Sequence, residues 1–281
     1  MIILMVTTTL TKPLTEIKIQ YLPRGDELPY DDDIPLESER HLYQIILLLE
    51  TLLPWLRKIG KGYVGGNMFL YFSPNKVKTE MVRGADFFVV TNADFRERKS
   101  WVVWEEGLSP NIVIELLSDT TKNEDKTNKK KIYEKELCVS EYFWYDPHNP
   151  QDWAGHELID GSYREKKSDI RGRYICKELG LALVKWYGVF LEREATWLRF
   201  ETLDGLLLPT KQEKEEEAKQ REFEAKQREF EAKQREFEAK QREFEAKQRE
   251  FEAKQEVLKE KEKADVFAAK LRSLGIDPNK L

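Results

Sequence analysis

Cysteine is scarce in this chain of 281 residues, which contains only Cys138 and Cys176. Two cysteines are too few for a disulfide framework, and they lack the spacing of metal-binding cysteine pairs. The sequence therefore excludes a disulfide scaffold and a cysteine-based zinc site. This usage is typical of a reducing compartment, and we expect a cytoplasmic protein.

Long apolar runs are also missing, since none approaches the roughly 20 residues that a membrane-spanning helix needs. The opening segment, MIILMVTTTL, is short, has no basic residue before it and lacks a small-residue cleavage site. It therefore predicts no signal peptide. We expect a protein that has no membrane partner.

An excess of basic charge is absent as well, and the formal net charge is -5. Proteins that bind nucleic acid by phosphate neutralisation alone are usually basic. Metal-dependent nucleases need local carboxylates, however, and can be acidic overall. Net charge therefore does not decide whether a nucleic acid is a partner.

Glycine and proline are missing from residues 211–263, in which the heptad EAKQREF repeats almost without error from Glu217. Strong helix formers, with acids four residues before basic residues, predict a long helix. Its bulky apolar residue recurs at every seventh position, as Phe223, Phe230, Phe237, Phe244 and Phe251. With Phe at one seam position of a coiled coil, Gln falls at the other, and Glu and Lys flank the seam. Three interpretations stay open: a weak coiled coil that forms a homodimer, an isolated helix that acts as a spacer, or an apolar stripe that binds DNA or a membrane.

Residues 1–210 hold nearly all the Trp, Tyr, Pro and Gly, together with the apolar runs of a core. We divide the chain into an N-terminal extension (1–20), a globular domain (21–210), the heptad-repeat helix (211–263) and a C-terminal helical tail (264–281). The globular domain begins with a helix capped by Ser38 and kinked or ended by Pro54. The β-type segments NMFLYF, DFFVV, SWVVW and NIVIELL follow.

A second helix is predicted to begin at the capping box TKNE (121–124) and to run to about Leu137. The strand EYFWYDP comes next, and residues 151–210 alternate short strands with turns. This order predicts an α/β fold class, in the form of an α+β mixed sheet flanked by helices.

Two acidic residues stand out in the predicted strands. Asp86 precedes the run FFVV, and by itself it is typical of a turn or strand end. Glu115 lies among the aliphatic residues of NIVIELL, where an unpaired carboxylate costs several kcal/mol. We therefore expect Glu115 to be held by a salt bridge or by a metal ion.

Lys129 and Asp125 fall on the same side of the second helix as its apolar residues, Ile132, Tyr133 and Leu137. A structural pair of Lys129 with Asp125 or Glu115 is one interpretation. The other is catalytic, because carboxylates hold Mg²⁺, the metal lowers the pKa of bound water, and a lysine stabilises a developing phosphate charge.

The segments GAD (84–86), IVIELLSDTT (112–121) and EYFWYDP (141–147), with Asp125, Lys129 and Tyr133 in D-x-x-x-K-x-x-x-Y spacing, together resemble the Uma-two family. This family is a cyanobacterial-type branch of the PD-(D/E)XK, restriction-endonuclease-like superfamily. The resemblance covers most of residues 20–210 and the last few residues, but not the repeat. The chain departs from the family pattern at Ala85, Asp119 and Cys138, outside the chemical groups of the motif.

The resemblance implies a restriction-endonuclease-like core and an endonuclease that hydrolyses DNA with Mg²⁺, for which Mn²⁺ can substitute. It implies catalytic roles for Asp86, Glu115 and Lys129, with the two acids as metal ligands. Leu117 occupies the usual lysine position, so Lys129 matches a displaced lysine. The candidate supporting residues are Glu37, Asp125 and Tyr133.

His41 matches a position that is frequently His in the family, and a structural histidine at a helix N-terminus is the alternative. Members of the superfamily often pair their active sites, so a homodimer through the nuclease domain is a further expectation. Two rival interpretations share the same fold: a catalytically inactive nuclease fold that assembles through its helical tail, and a structural coiled-coil protein with a globular head.

Overall fold

The computed structural model of the protein describes residues 22–30, 38–73 and 82–273. The predicted extension (1–20) and Glu37 lie outside the described residues. The chain forms two compact units, Met1–Gln212 and Glu213–Leu281. In the described part of the chain, no helix is both long and apolar enough to cross a membrane.

The secondary structure alternates helices and strands in the first unit. Its helices are α1 (Glu39–Ile59), α2 (Val103–Glu106), α3 (Lys122–Glu124) and α4 (Lys130–Lys135), and a π-helical turn (Asp125–Lys129) joins the last two. Its strands are β1 (Tyr63–Tyr71), β2 (Val82–Val90), β3 (Trp101–Val102), β4 (Ile112–Leu116), β5 (Glu141–Tyr145), β6 (Trp153–Ile159), β7 (Ser162–Glu165), β8 (Tyr174–Cys176), β9 (Leu181–Phe190) and β10 (Arg193–Thr202).

The described strands form two sheets. The larger one is mixed and has the order β3-β1-β2-β4-β5-β6-β7, with β4 parallel to β5 and antiparallel to β2. The smaller one is antiparallel and has the order β10-β9-β8. The predicted α/β fold class, a mixed sheet flanked by helices, is confirmed.

Strand β4 lies at the centre of the large sheet, and all five of its residues are buried. Side chains alternate between the faces of a strand. Ile112, Ile114 and Leu116 pack in the core that contains α1 and the small sheet. Val113 packs on the opposite face, in the core that contains Tyr133 of α4. Glu115 shares that second face, which explains why one acid interrupts an aliphatic strand.

Helix α1 begins as the sequence predicts, because the Ser38 side chain accepts a hydrogen bond from the backbone N–H of His41. It ends at Gly60, whose φ of 80° is the left-handed conformation common after a helix C-terminus. Pro54 lies inside the helix, so of the two predicted alternatives it does not end the helix, and a kink there stays a prediction. Pro removes one backbone hydrogen bond, which the buried packing of α1 on both sheets outweighs.

Two local predictions fail. The SWVVW segment forms only the two-residue strand β3 before it turns into α2. The capping box at 121–124 does not form, since the Thr121 side chain makes no cap hydrogen bond. The hydroxyl of Ser118 instead accepts the backbone N–H of Thr121 at 3.1 Å, which moves the cap three residues upstream.

The second unit contains most of the helix α5 (Lys211–Ser273), which has no buried residue. Ion pairs between residues four apart stabilise it, as between Glu222 and Lys226 at 2.6 Å, and the same pair recurs in later heptads. The helix continues without a break from the heptad repeat into the start of the predicted tail.

Gln44 joins α1 to the small sheet through the edge strand β10. Its fully buried side-chain amide donates to the carbonyl oxygen of Leu198 at 2.8 Å and accepts the N–H of Leu198 at 2.9 Å. An edge strand leaves such backbone groups without a neighbouring strand. Gln44 therefore takes the place of the missing strand where the helix covers the sheet.

Replacing Gln44 by Met should lower the free energy of unfolding by about 2–4 kcal/mol, since it leaves two buried backbone groups without partners. Urea unfolding of the full chain measures this change. The exposed Lys58 of the same helix supplies the control, and Lys58→Met should cost less than about 1 kcal/mol. Equal effects of the two variants would contradict the role given to Gln44.

Candidate active site

Two carboxylates meet where β2 and β4 separate. The antiparallel pairing of these strands covers Phe87 to Val89 and stops before Asp86. Beyond that point, Asp86 Oδ2 accepts the backbone N–H of Leu116 at 2.7 Å. In return, Glu115 Oε2 lies 3.4 Å from the backbone N of Asp86. The two side chains therefore bridge the strands in place of ladder hydrogen bonds, and they stand side by side.

The sequence placed Asp86 at the turn that enters a strand, but the residue lies in the middle of β2. What distinguishes Asp86 is that the sheet is irregular around it. On the side of β1, Gly66 pairs with Phe87 and Met68 with Ala85, while Asn67 between them has a φ of 49°. Asn is one of the few non-glycine residues that tolerate this conformation. The sheet is thus distorted on both sides of Asp86.

Both carboxylate oxygens of Glu115 are engaged, and the residue is fully buried. The Tyr133 hydroxyl donates to Oε1 at 2.5 Å, and Lys129 Nζ lies 3.1 Å from Oε2. The predicted contact of Glu115 with a cation is therefore present. Because Tyr133 is itself fully buried, it holds the carboxylate in one orientation.

Lys129 brings the helical segment to the two strands. Its ammonium lies 3.1 Å from Glu115 Oε2 and 2.8 Å from Asp125 Oδ1. It also donates to the carbonyl oxygen of Gly84 at 3.3 Å, on the strand that carries Asp86. The sequence offered Glu115 and Asp125 as alternative partners of Lys129, and the structure shows both contacts.

A π-helical turn over Asp125–Lys129 makes this convergence possible. Eight residues of regular α-helix advance two turns and overshoot by about 80°, which would turn Tyr133 away from the direction of Asp125. The wider turn, with bonds from residue i to i+5, takes up the overshoot. Asp125, Lys129 and Tyr133 therefore all reach the same place, and such turns occur frequently at functional sites.

Asp125 is fully buried, and the partners of its carboxylate are the Thr121 hydroxyl and the Lys129 ammonium. The contact with Lys129 is an ion pair by distance. The backbone carbonyl of Asp125 is held separately, by the Tyr142 hydroxyl at 2.8 Å. The carboxylate is thus a buried charge whose close cation is shared with Glu115.

Burial dominates the electrostatics of the site. It raises the pKa of Glu115 to about 7 and that of Asp125 to about 6, in spite of the nearby charge of Lys129. Burial also raises the pKa of Asp86, against the effect of Lys129 and the N–H of Leu116. For Lys129, burial opposes the charge, but the three carboxylates outweigh it and hold its pKa above the usual range. Three acids therefore share one ammonium, which is too few positive charges to balance all three in their ionised forms.

His41 contacts the backbone at the end of β4. Its Nε2 is 3.2 Å from the carbonyl oxygens of both Leu116 and Leu117, and its Nδ1 is 2.8 Å from Ser38 Oγ. These contacts tie the start of α1 to the backbone that follows Glu115. Glu37, predicted as a supporting acid, lies outside the described residues.

The described residues include no cluster of three or more His, Cys, Asp or Glu side chains that forms a ready metal cage. The reason is that Lys129 stands between Asp125 and the pair of Asp86 and Glu115. The arrangement is instead a two-carboxylate pair with an adjacent ammonium. Mg²⁺ is commonly bound by one or two carboxylates together with waters and substrate phosphates.

Several parts of the site were not predicted from the sequence. Asn67 is exposed in a strand, Gly84 contributes only a carbonyl oxygen, and Tyr142 reads as one more apolar residue of β5. Their roles depend on backbone conformation and on neighbours far along the chain. Only Tyr142 carried a signal in the sequence, because an aromatic hydroxyl within a buried strand requires a polar partner.

The sequence of the chain also matches a known protein family. Residues 22–186, more than half of the chain, match a family of proteins described as "Putative restriction endonuclease". The chain belongs to this family, Uma2. The resemblance inferred from its motifs is thereby confirmed, and it places the chain in a nuclease family.

Comparison with other proteins adds a structural neighbour. One solved structure that matches is described as "a putative nuclease belonging to DUF820" from Anabaena variabilis ATCC 29413. The two sequences are 11% identical, the match covers 52% of this chain and 76% of that chain, and the TM-score is 0.39. No curated protein matches the chain.

Without metal, the buried acids of the site should make the protein less stable as the pH rises from 5 to 7, and His156, whose pKa burial lowers to about 4, acts in the opposite direction below about pH 6.5. Glu115 has a pKa of about 7 when folded, against an ordinary value of 4.5. Its stabilising contribution is therefore complete below pH 4.5 and is lost as the pH rises through 7, and Asp125 acts in the same direction. Each proton contributes at most about 1.4 kcal/mol per pH unit.

Urea unfolding in EDTA between pH 5 and 8 measures this slope. Glu115→Gln removes one titrating group, so its free energy of unfolding should depend less steeply on pH. Glu136→Gln, at an exposed position just after α4, should follow the wild type. Identical slopes for all three proteins would exclude Glu115 as the source.

Proposed function

We propose that this protein is a Mg²⁺-dependent endonuclease that hydrolyses phosphodiester bonds of DNA, and that Mn²⁺ can replace Mg²⁺. The observation that carries the proposal is the side-by-side placement of the Asp86 and Glu115 carboxylates, with the Lys129 ammonium 3.1 Å from Glu115. Membership of a restriction-endonuclease family supports the same class of reaction.

The charge of the site fits a divalent cation. Asp86, Glu115 and Asp125 are three acids, and Lys129 supplies one compensating charge. Burial favours protonation of the acids, so a metal ion that displaces the proton of Glu115 would relieve the same desolvation cost. Asp86 and Glu115 would hold the ion, and its chemistry would be to acidify water and to neutralise phosphate charge.

The remaining side chains have separate roles in this proposal. Lys129 is placed to orient the attacking water or to stabilise the negative charge that develops on the phosphate. Tyr133 is a positioning residue, because its hydroxyl holds Glu115 Oε1 and leaves Oε2 on the side of Lys129 and Asp86. Asp125 is also a positioning residue, since its ion pair directs Lys129. Glu37 stays a candidate supporting acid.

The wild-type chain should nick supercoiled plasmid DNA with Mg²⁺ or Mn²⁺ and should lose this activity in EDTA. Asp86→Asn and Glu115→Gln keep the side-chain volume but remove the charge that binds metal, so each should reduce the rate at least about 100-fold. Gel assays of supercoiled, nicked and linear plasmid measure the loss.

Asp160→Asn and Glu136→Gln are matched controls at exposed positions and should retain full activity. Nicking that is equal in wild type and site variants would point to a contaminating nuclease. Absence of cleavage by the wild type, on plasmid and on single-stranded DNA with either metal, would overturn the proposal.

Metal binding has a readout that does not depend on cleavage. Mg²⁺ at about 100 times its Kd should stabilise the wild type by about 2.7 kcal/mol, which raises the Tm by roughly 5–10 °C. Asp86→Asn should remove this shift, and Asp160→Asn should retain it. Equal shifts in both variants would show that the metal binds elsewhere.

A further inference from the structure

Helix α5 carries a row of aromatic side chains that nothing in its own unit covers. Phe223, Phe230, Phe237, Phe244 and Phe251 are between 63% and 69% exposed. The row has a strict spacing of seven residues and continues at Leu258, which is 52% exposed. Phe is a weaker helix former than Leu, Met or Ala, so an isolated spacer gains nothing from it.

The spacing of the row indicates what covers it. In a straight α-helix, a seven-residue repeat drifts by about 20° per heptad, so the five Phe side chains would spread over about 80°. Left-handed supercoiling around a partner helix brings them onto one seam. The five Phe heptads span about 52 Å of helix.

The charges beside the seam indicate which partner helix covers the Phe row and whether the two helices run parallel or antiparallel. With Phe at position d, Gln227 occupies position a, Glu231 occupies e and Lys226 occupies g, and this assignment repeats in every heptad. In a parallel pair, g of one helix faces e of the other, so Lys226 meets the partner's Glu231. In an antiparallel pair, g faces g and e faces e, which would place Lys against Lys and Glu against Glu.

We infer that α5 pairs with α5 of a second copy of this chain as a parallel, in-register, two-stranded coiled coil. The second copy is the occupant because the Lys and Glu rows of one helix complement those of an identical helix in this direction alone. Polar Gln at every a position makes the core thin, and polar residues at a specify register at a cost in stability. The dimer is therefore weak and depends on concentration.

The isolated helix already shows the side chains that this pairing would use. Lys226 contacts Glu222 of position c at 2.6 Å, and Gln227 donates to Glu231 of position e at 3.3 Å. These contacts lie along the surface of one helix. Only the contact between Gln227 and Glu231 would compete with contacts to the partner helix. Lys226 can keep Glu222 while it approaches the partner's Glu231.

Parallel pairing has a consequence for the globular units. Each is joined to the N-terminal end of its helix, so a parallel coil brings two globular units to the same end of the dimer. If the proposed nuclease function holds, two active sites become available to one DNA molecule. This consequence rests on the proposed function, whereas the pairing itself does not.

Sedimentation equilibrium of the full chain tests the pairing. The wild type should dimerise as concentration rises, and the triple variant Phe230→Gln, Phe237→Gln, Phe244→Gln should raise the dimer Kd at least about 100-fold. The control, Ala232→Gln, Ala239→Gln, Ala246→Gln, places the same residues at the outer position f and should change the Kd less than about threefold. A monomeric wild type, or a Phe variant that dimerises equally well, overturns the inference.

Oxidative crosslinking of the full chain tests direction and register. In a Cys138→Ser background, which removes the exposed native thiol, Gln220→Cys at position a should form a disulfide-linked dimer. Ala225→Cys at the outer position f should not. A dimeric Gln220→Cys protein that fails to crosslink overturns the parallel arrangement. Neither experiment measures cleavage, so failure of the nuclease proposal leaves this test intact.

Discussion

Burial of the Glu115 carboxylate constrains its whole neighbourhood. A charged group without exposure to solvent is costly unless polar partners surround it, and here the partners come from two separate parts of the chain. Tyr133 and Lys129 approach from the helical segment, and Asp86 approaches from the adjacent strand. Because these groups must reach one carboxylate, the positions of β2, β4 and the helical segment are linked.

The irregularities of the fold gather around this same group. The π-helical turn over Asp125–Lys129, the left-handed Asn67 and the early end of the β2–β4 pairing all lie beside the acids. A regular α-helix would direct fewer side chains towards Glu115. Regular strand pairing would leave no gap between β2 and β4. Sites of catalysis commonly retain such costly features, and elsewhere the central strands keep regular pairing and dense apolar packing.

Helix α5 is stabilised by a different kind of interaction. Its stability comes from local charge pairs and helix propensity, and no described residue of it is buried. The row of Phe side chains adds nothing to that local stability, which is why we infer a partner helix for it. The globular unit depends on long-range contacts of a few buried groups, whereas the helix repeats one short-range pattern.

The sequence by itself determined the features that depend on near neighbours. These are the α1 cap at Ser38, the burial of β4 with Glu115 inside it, and the long helix. The tertiary structure decided the features that depend on distant contacts. Asp86 looks like a turn residue in the sequence, and it becomes a partner of Glu115 only because β2 and β4 separate beside it. Pro54 inside α1 and the failed cap at Thr121 have the same cause, since packing or a neighbouring hydroxyl outweighed a local preference.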